Sequence, residues 1–167
     1  MSERRGFFGS LFSRDCGGFL QFAKYAMVGA FSTLVQVFVF YLLASTLLKC
    51  LAPGDWAVEY LGLPSVSLSP GRRAFLADVS TVCGFVVSNV FCWLLNRAFV
   101  FRPGRHRWYV EFALFFGVSG AAAGIAILLQ SMMIRYFGMM TSAAFAIQIC
   151  TSLALNFFAR KYLVFKG

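Results

Sequence analysis

Charge is what this sequence has least of. Only 13% of its 167 residues are charged, the acids number six and there is a single histidine, His106. A water-soluble chain carries about 25% charged residues to cover its surface. The shortfall means that much of this surface faces something other than water. The acids are Glu3, Asp15, Asp55, Glu59, Asp78 and Glu111, too few and too scattered for an acidic metal pair or an acid/base couple. One histidine, with no His/Cys cluster, rules out a zinc site, so neither a metal nor a cofactor is expected. Cys16, Cys50, Cys83, Cys92 and Cys150 are odd in number, contain no CxxC pair and mostly sit in apolar runs, where cysteine acts as a small hydrophobe. Neither a Ser/His/Asp grouping nor a Gly-rich phosphate loop is present. The chain does not read as an enzyme.

What is abundant is apolar. Hydrophobic residues make up 60% of the chain and aromatics 18%, with 21 Phe, and the mean hydropathy is +0.76. Four runs meet the roughly 20 residues needed to span about 30 Å of hydrocarbon. They are residues 25–48, 74–95, 112–133 and 139–158. The expected fold is an all-α membrane protein of four transmembrane helices. Residues 1–19, with Arg4, Arg5 and Arg14 among Phe7, Phe8, Leu11 and Phe12, read as a membrane-surface segment, and residues 20–167 as one transmembrane domain. A cleaved signal peptide fits less well, because the apolar run that follows is too long for an h-region.

The net charge of +9 lies beside these runs rather than in a stripe. That placement favours anionic lipid over nucleic acid. Arg4, Arg5, Arg14, Lys24, Arg97, Arg102, Arg105, Arg107, Arg160, Lys161 and Lys166 fall on one side of the expected spans, against Lys49, Arg72, Arg73 and Arg135 on the other. The bias predicts both termini in the cytoplasm of a bacterial inner membrane.

The chain also repeats. Phe22-Ala23-Lys24-Tyr25 matches Phe112-Ala113-Leu114-Phe115 at the start of each half, and Asn96-Arg97-Ala98-Phe99-Val100-Phe101 matches Arg160-Lys161-Tyr162-Leu163-Val164-Phe165 at the end. Two helical hairpins of the same topology follow, as parallel repeats with substrate handled between them.

Polar groups in lipid cost several kcal/mol unless paired, so each one within a span asks for a reason. Asp78, Thr81, Asn89, Cys92 and Asn96 share one stripe of the second run, and Gln148, Thr151, Ser152, Asn156 and Arg160 share one of the fourth. Gly29, Thr33 and Gln36 line a face of the first. These stripes either enclose a hydrophilic groove or bond helix to helix. In the groove reading, Thr33, Gln36, Asp78, Asn89, Gln148 and Ser152 form a path for a polar headgroup. Lys24, Asn96, Arg97, Asn156, Arg160 and Lys161 form a phosphate clamp at its cytoplasmic mouth. On the third run, Gly117, Gly120 and Gly124 permit close helix approach, as a dimer face or an internal seam.

Lys24-Tyr25-x-x-Val28-Gly29, Ser32-Thr33-Leu34-Val35, Asn96-Arg97-x-Phe99-Val100-Phe101 and Asn156-Phe157-x-x-Arg160-Lys161-x-x-Val164-Phe165 together resemble the GtrA-like family over residues 19–165. The resemblance implies translocation of a polyprenyl-phosphate-linked sugar, or of polyprenyl phosphate, for cell-surface polysaccharide synthesis. A polyprenyl-phosphate glycosyltransferase is the implied partner and a homodimer the expected assembly. The alternative is a non-transporting anchor or activator of that glycosyltransferase. Where the family commonly has an acid behind Ser/Thr-x-Leu-Val, this chain has Gln36, which hydrogen-bonds but cannot ionise. A proton-coupled role would therefore have to move to Asp78.

Overall fold

A computed structural model describes residues 18–100 and 107–163, with side chains described over 23–100 and 107–156. These residues form helices α1 (Gly18–Ser45), α2 (Trp56–Leu61), α3 (Pro70–Leu95), α4 (Trp108–Phe137) and α5 (Thr141–Leu163), and no strand occurs among them. Most of the surface segment expected at residues 1–19 lies outside the described residues.

Local chemistry sets the boundaries. Helix α1 stops at Ser45, beyond which Lys49 turns the chain with a φ of 43°. Helix α2 begins where Asp55 Oδ1 accepts from Ala57 N at 3.2 Å, as an N-cap does. Pro70, whose missing N–H has no partner to lose in a first turn, opens α3. That helix runs on past Leu95 into a π-helical turn, Asn96–Val100. Such turns recur at functional sites. Gly138, at φ 63°, ends α4, and Met139 N bonds back to Met133 O at 3.1 Å.

Among the described residues, three segments, Ala23–Ser45, Pro70–Val100 and Trp108–Phe137, are long and apolar enough to cross a membrane. Helix α5 has 23 residues, about 35 Å at 1.5 Å each, of which residues 141–156 have described side chains.

Helix α3 is central, packed on α1 and on α4, while α4 also packs on α5. Gly84 lets α3 sit hard against α1: a Cβ there would stand 3.0 Å from Gln36 O. By backbone, α1 and α5 scarcely meet. The apolar core of Phe40, Ala44, Leu51, Ala74, Ala77, Ile134 and Phe145 sits at the end of the bundle bearing the 46–69 loop. The register of the expected repeat brings two contacts into comparison. Aligning Phe22 with Phe112 and Arg97 with Lys161 carries Phe40 onto Gln130 and Thr81 onto Phe145. Phe40 stacks on Phe145, and Thr81 bonds Gln130.

Candidate functional site

The loop end is sealed. Asp55 is fully buried, and its second oxygen accepts from Ser142 N at 2.9 Å, so one carboxylate caps α2 and the start of α5. Thr141 Oγ1 donates to Cys50 O at 2.7 Å, and Arg73 Nη2 donates to Met139 O at 3.0 Å and to Gly138 O at 3.3 Å. Burial pushes the Cys50 thiol up to about 11, against a weaker opposing effect of the Ser80 hydroxyl. The thiol is therefore neutral and inert at neutral pH.

The interior toward the other end is polar and only partly satisfied. Asn89 Nδ2, Asn96 Oδ1, Gln148 Nε2 and Asn156 Oδ1 are buried atoms with no hydrogen-bond partner. Nearly all buried polar atoms in folded proteins have a partner, and unsatisfied ones cost about 1–3 kcal/mol each. For the two oxygens, the bond made by the nitrogen of the same amide fixes the identity. Asn96 Nδ2 donates to Cys92 O at 2.9 Å, and Asn156 Nδ2 donates to Ser152 O at 3.0 Å. An atom that donates to a carbonyl is nitrogen, so both residues turn an acceptor oxygen inward.

Of the expected headgroup path, Gln36 and Gln148 come together, Nε2 to Oε1 at 3.5 Å. Asn89 is buried on α3. Thr33 is half-buried and bonds Gly29 O of its own helix, and Ser152 is half-buried. Asp78 stands apart, half-buried at the α3–α4 seam, where Gln130 Nε2 donates to its Oδ1 at 3.3 Å. Gln130 is fully buried and also exchanges bonds with Thr81, at 3.1 and 3.0 Å.

At the expected clamp, Lys24 and Asn96 are buried and Asn156 is half-buried. Arg97 is already engaged: Nη1 meets Glu111 Oε2 at 2.9 Å, and its guanidinium lies 5.5 Å from the Trp93 ring centre. The backbone of α5 extends through Arg160 and Lys161, whose side chains lie outside those described. Gly117, Gly120 and Gly124 have open space where a Cβ would be, so they form no seam among the described residues.

Sequence reasoning missed Gln130, Glu111 and Asp55. Gln130 had a signal, a lone amide at the end of the run Ile125–Leu129. Asp55 had one too, an N-cap residue following Pro53-Gly54. The pairing of Glu111 with Arg97 had none, because the two sit on different elements, 14 residues apart.

A family model described as GtrA/DPMS, transmembrane domain, matches residues 73–165. The match takes in α3, α4 and α5 and leaves α1 outside, a shorter stretch than the resemblance over residues 19–165. No curated protein and no solved structure matches the chain.

Proposed function

Since the chain belongs to the GtrA/DPMS transmembrane-domain family, we propose that it carries a polyprenyl-phosphate-linked sugar, or polyprenyl phosphate, across the bacterial inner membrane. The observation that carries this reading is the set of four unpartnered buried atoms on α3 and α5. Two are amide donors and two are carbonyl acceptors. Sugar hydroxyls both donate and accept, so a glycosyl headgroup complements them, whereas residues serving only to bond helix to helix would have satisfied one another.

In this reading both termini are cytoplasmic, α5 is the fourth span, and Lys24, Arg97, Arg160 and Lys161 gather the lipid phosphate. Arg97 gives up Glu111 to do so. Asn96 and Asn156, with oxygens inward, serve the sugar or the cations rather than the phosphate. Gln36, Asn89, Gln148 and Ser152 carry the headgroup while the prenyl tail stays in hydrocarbon. No bond is made or broken, so transport runs down a gradient maintained by use of the sugar lipid on the far side. A polyprenyl-phosphate glycosyltransferase is the matching partner.

The test is reconstitution. Purified protein in vesicles should move a radiolabelled short-chain isoprenyl-phosphate hexose between leaflets faster than empty vesicles do. A protein that moves none, yet binds and activates a polyprenyl-phosphate glycosyltransferase, is the anchor instead.

A further inference from the structure

Two seams occupy equivalent places in the expected repeat, and they are closed in different ways. Between α3 and α4, Thr81 and Gln130 exchange two bonds near 3 Å and Gln130 also holds Asp78. This seam is locked by a buried polar network. Between α1 and α5 the backbones scarcely meet, and large side chains fill the gap. The rings of Phe40 and Phe145 lie face to face, with centres 3.6 Å apart and planes 9° from parallel. On the polar side of them, one turn along α1, the Gln36–Gln148 contact spans 3.5 Å, at the outer limit of a hydrogen bond. Gln148 accepts in that contact through Oε1, and its own donor, the buried Nε2, has no partner.

We propose that the α1–α5 seam is a lateral gate for the lipid headgroup, with the Phe40–Phe145 stack as its barrier. The inference rests on the lipid-transport reading above. A gate must open at less expense than its neighbours, and this seam does. Aromatic pairs prefer offset or edge-on geometry to a full sandwich, so sliding one ring off the other forfeits little beyond the contact itself. A 3.5 Å amide contact exchanges readily for a hydroxyl of the headgroup. Breaking the Thr81–Gln130–Asp78 network would instead strand several buried polar atoms. The loop clasp at Asp55 closes the axial route, so a headgroup rising from Asn96 and Asn89 meets Gln36 and Gln148 and then the two rings. A sideways opening there keeps the tail in lipid throughout.

The test uses a cysteine-free background in vesicles loaded with the same isoprenyl-phosphate hexose. In Phe40→Cys/Phe145→Cys, a short bifunctional thiol reagent should cut the flipping rate roughly tenfold or more relative to the same variant unbridged, as expected when a gating motion limits turnover. A cleavable bridge should restore the rate on reduction. The same bridge across Thr81→Cys/Gln130→Cys should leave the rate unchanged. Full transport with the α1–α5 bridge in place overturns the gate, and so does equal inhibition by both bridges. Should the double variant fail to fold, Phe145→Leu, which keeps most of the volume but loses the stack, must flip faster than its parent, and an equal or lower rate overturns the gate. A parent protein that moves no lipid refutes the transport reading itself, a result separable from either of these.

Discussion

Arg97 Nη1 and Glu111 Oε2 stand 2.9 Å apart, so the carboxylate of α4 occupies one cation of the proposed phosphate clamp. With Arg97 37% and Glu111 26% exposed, the pair contributes roughly 0–1 kcal/mol to stability. Its larger effect is competition. Glu111→Gln should tighten binding of polyprenyl phosphate in detergent, with little change in melting temperature. Arg97→Ala should weaken that binding by about 1.5–3 kcal/mol, the value of a hydrogen bond to a charged group. Equal affinity in parent and Glu111→Gln would show that Arg97 does not serve the phosphate.

The clasp at the loop end predicts a thermal and a chemical effect together. Asp55→Ala leaves Ala57 N and Ser142 N without their shared acceptor, which costs about 1–3 kcal/mol for each buried donor left unsatisfied. Cys50, buried and with its thiol raised to about 11, should resist maleimide at pH 7.5 in the parent and react in Asp55→Ala. A raised thiol contributes stability fully below the ordinary value of 9.0 and loses it as pH rises through about 11. The parent should therefore lose stability above pH 9. Rapid labelling of Cys50 in the folded parent would show that this end is open.

Small residues separate packing within the chain from packing between chains. Gly84→Ala places a Cβ 3.0 Å from backbone, so α1 must shift and the protein should melt lower. Gly120→Leu and Gly124→Leu meet open space and should fold as the parent does. If the expected homodimer forms on this face, both leucine variants run as monomers on size exclusion with light scattering. An unchanged mass would remove the face from consideration.

How far the sequence carried the fold can be judged at particular residues. Hydropathy located each long helix, and turn chemistry at Pro53-Gly54-Asp55, Ser69-Pro70 and Gly138 separated them. The ends moved: α1 stops at Ser45 instead of reaching Leu48, and α3 continues through Val100, because a π-turn is set by backbone bonding that leaves no periodic trace. The polar stripes were legible from helical spacing, but partner choice was not. Asp78 shares a stripe with Asn89 by angle, yet its partner, Gln130, is on α4. A helical wheel fixes azimuth on one helix and says nothing of what stands opposite.

Orientation rests on the Lys/Arg bias and has a direct check. In a cysteine-free background, cysteines placed at His106 and Gly167 should be protected from an impermeant thiol reagent in intact cells, and one at Gly62 should be labelled. Labelling at His106 would invert the topology.

The central claim is that the buried amides handle a headgroup rather than hold helices together. Asn89→Leu and Gln36→Leu remove one amide each without removing bulk. If they only bonded helices, each loss would be worth about 0.6 kcal/mol on average and transport would hardly change. The decisive measurement is the rate at which an isoprenyl-phosphate hexose crosses vesicles, per folded protein, in parent and both variants. Loss of flipping in both, with expression and glycosyltransferase association intact, is the predicted result, and parental rates in both would contradict it.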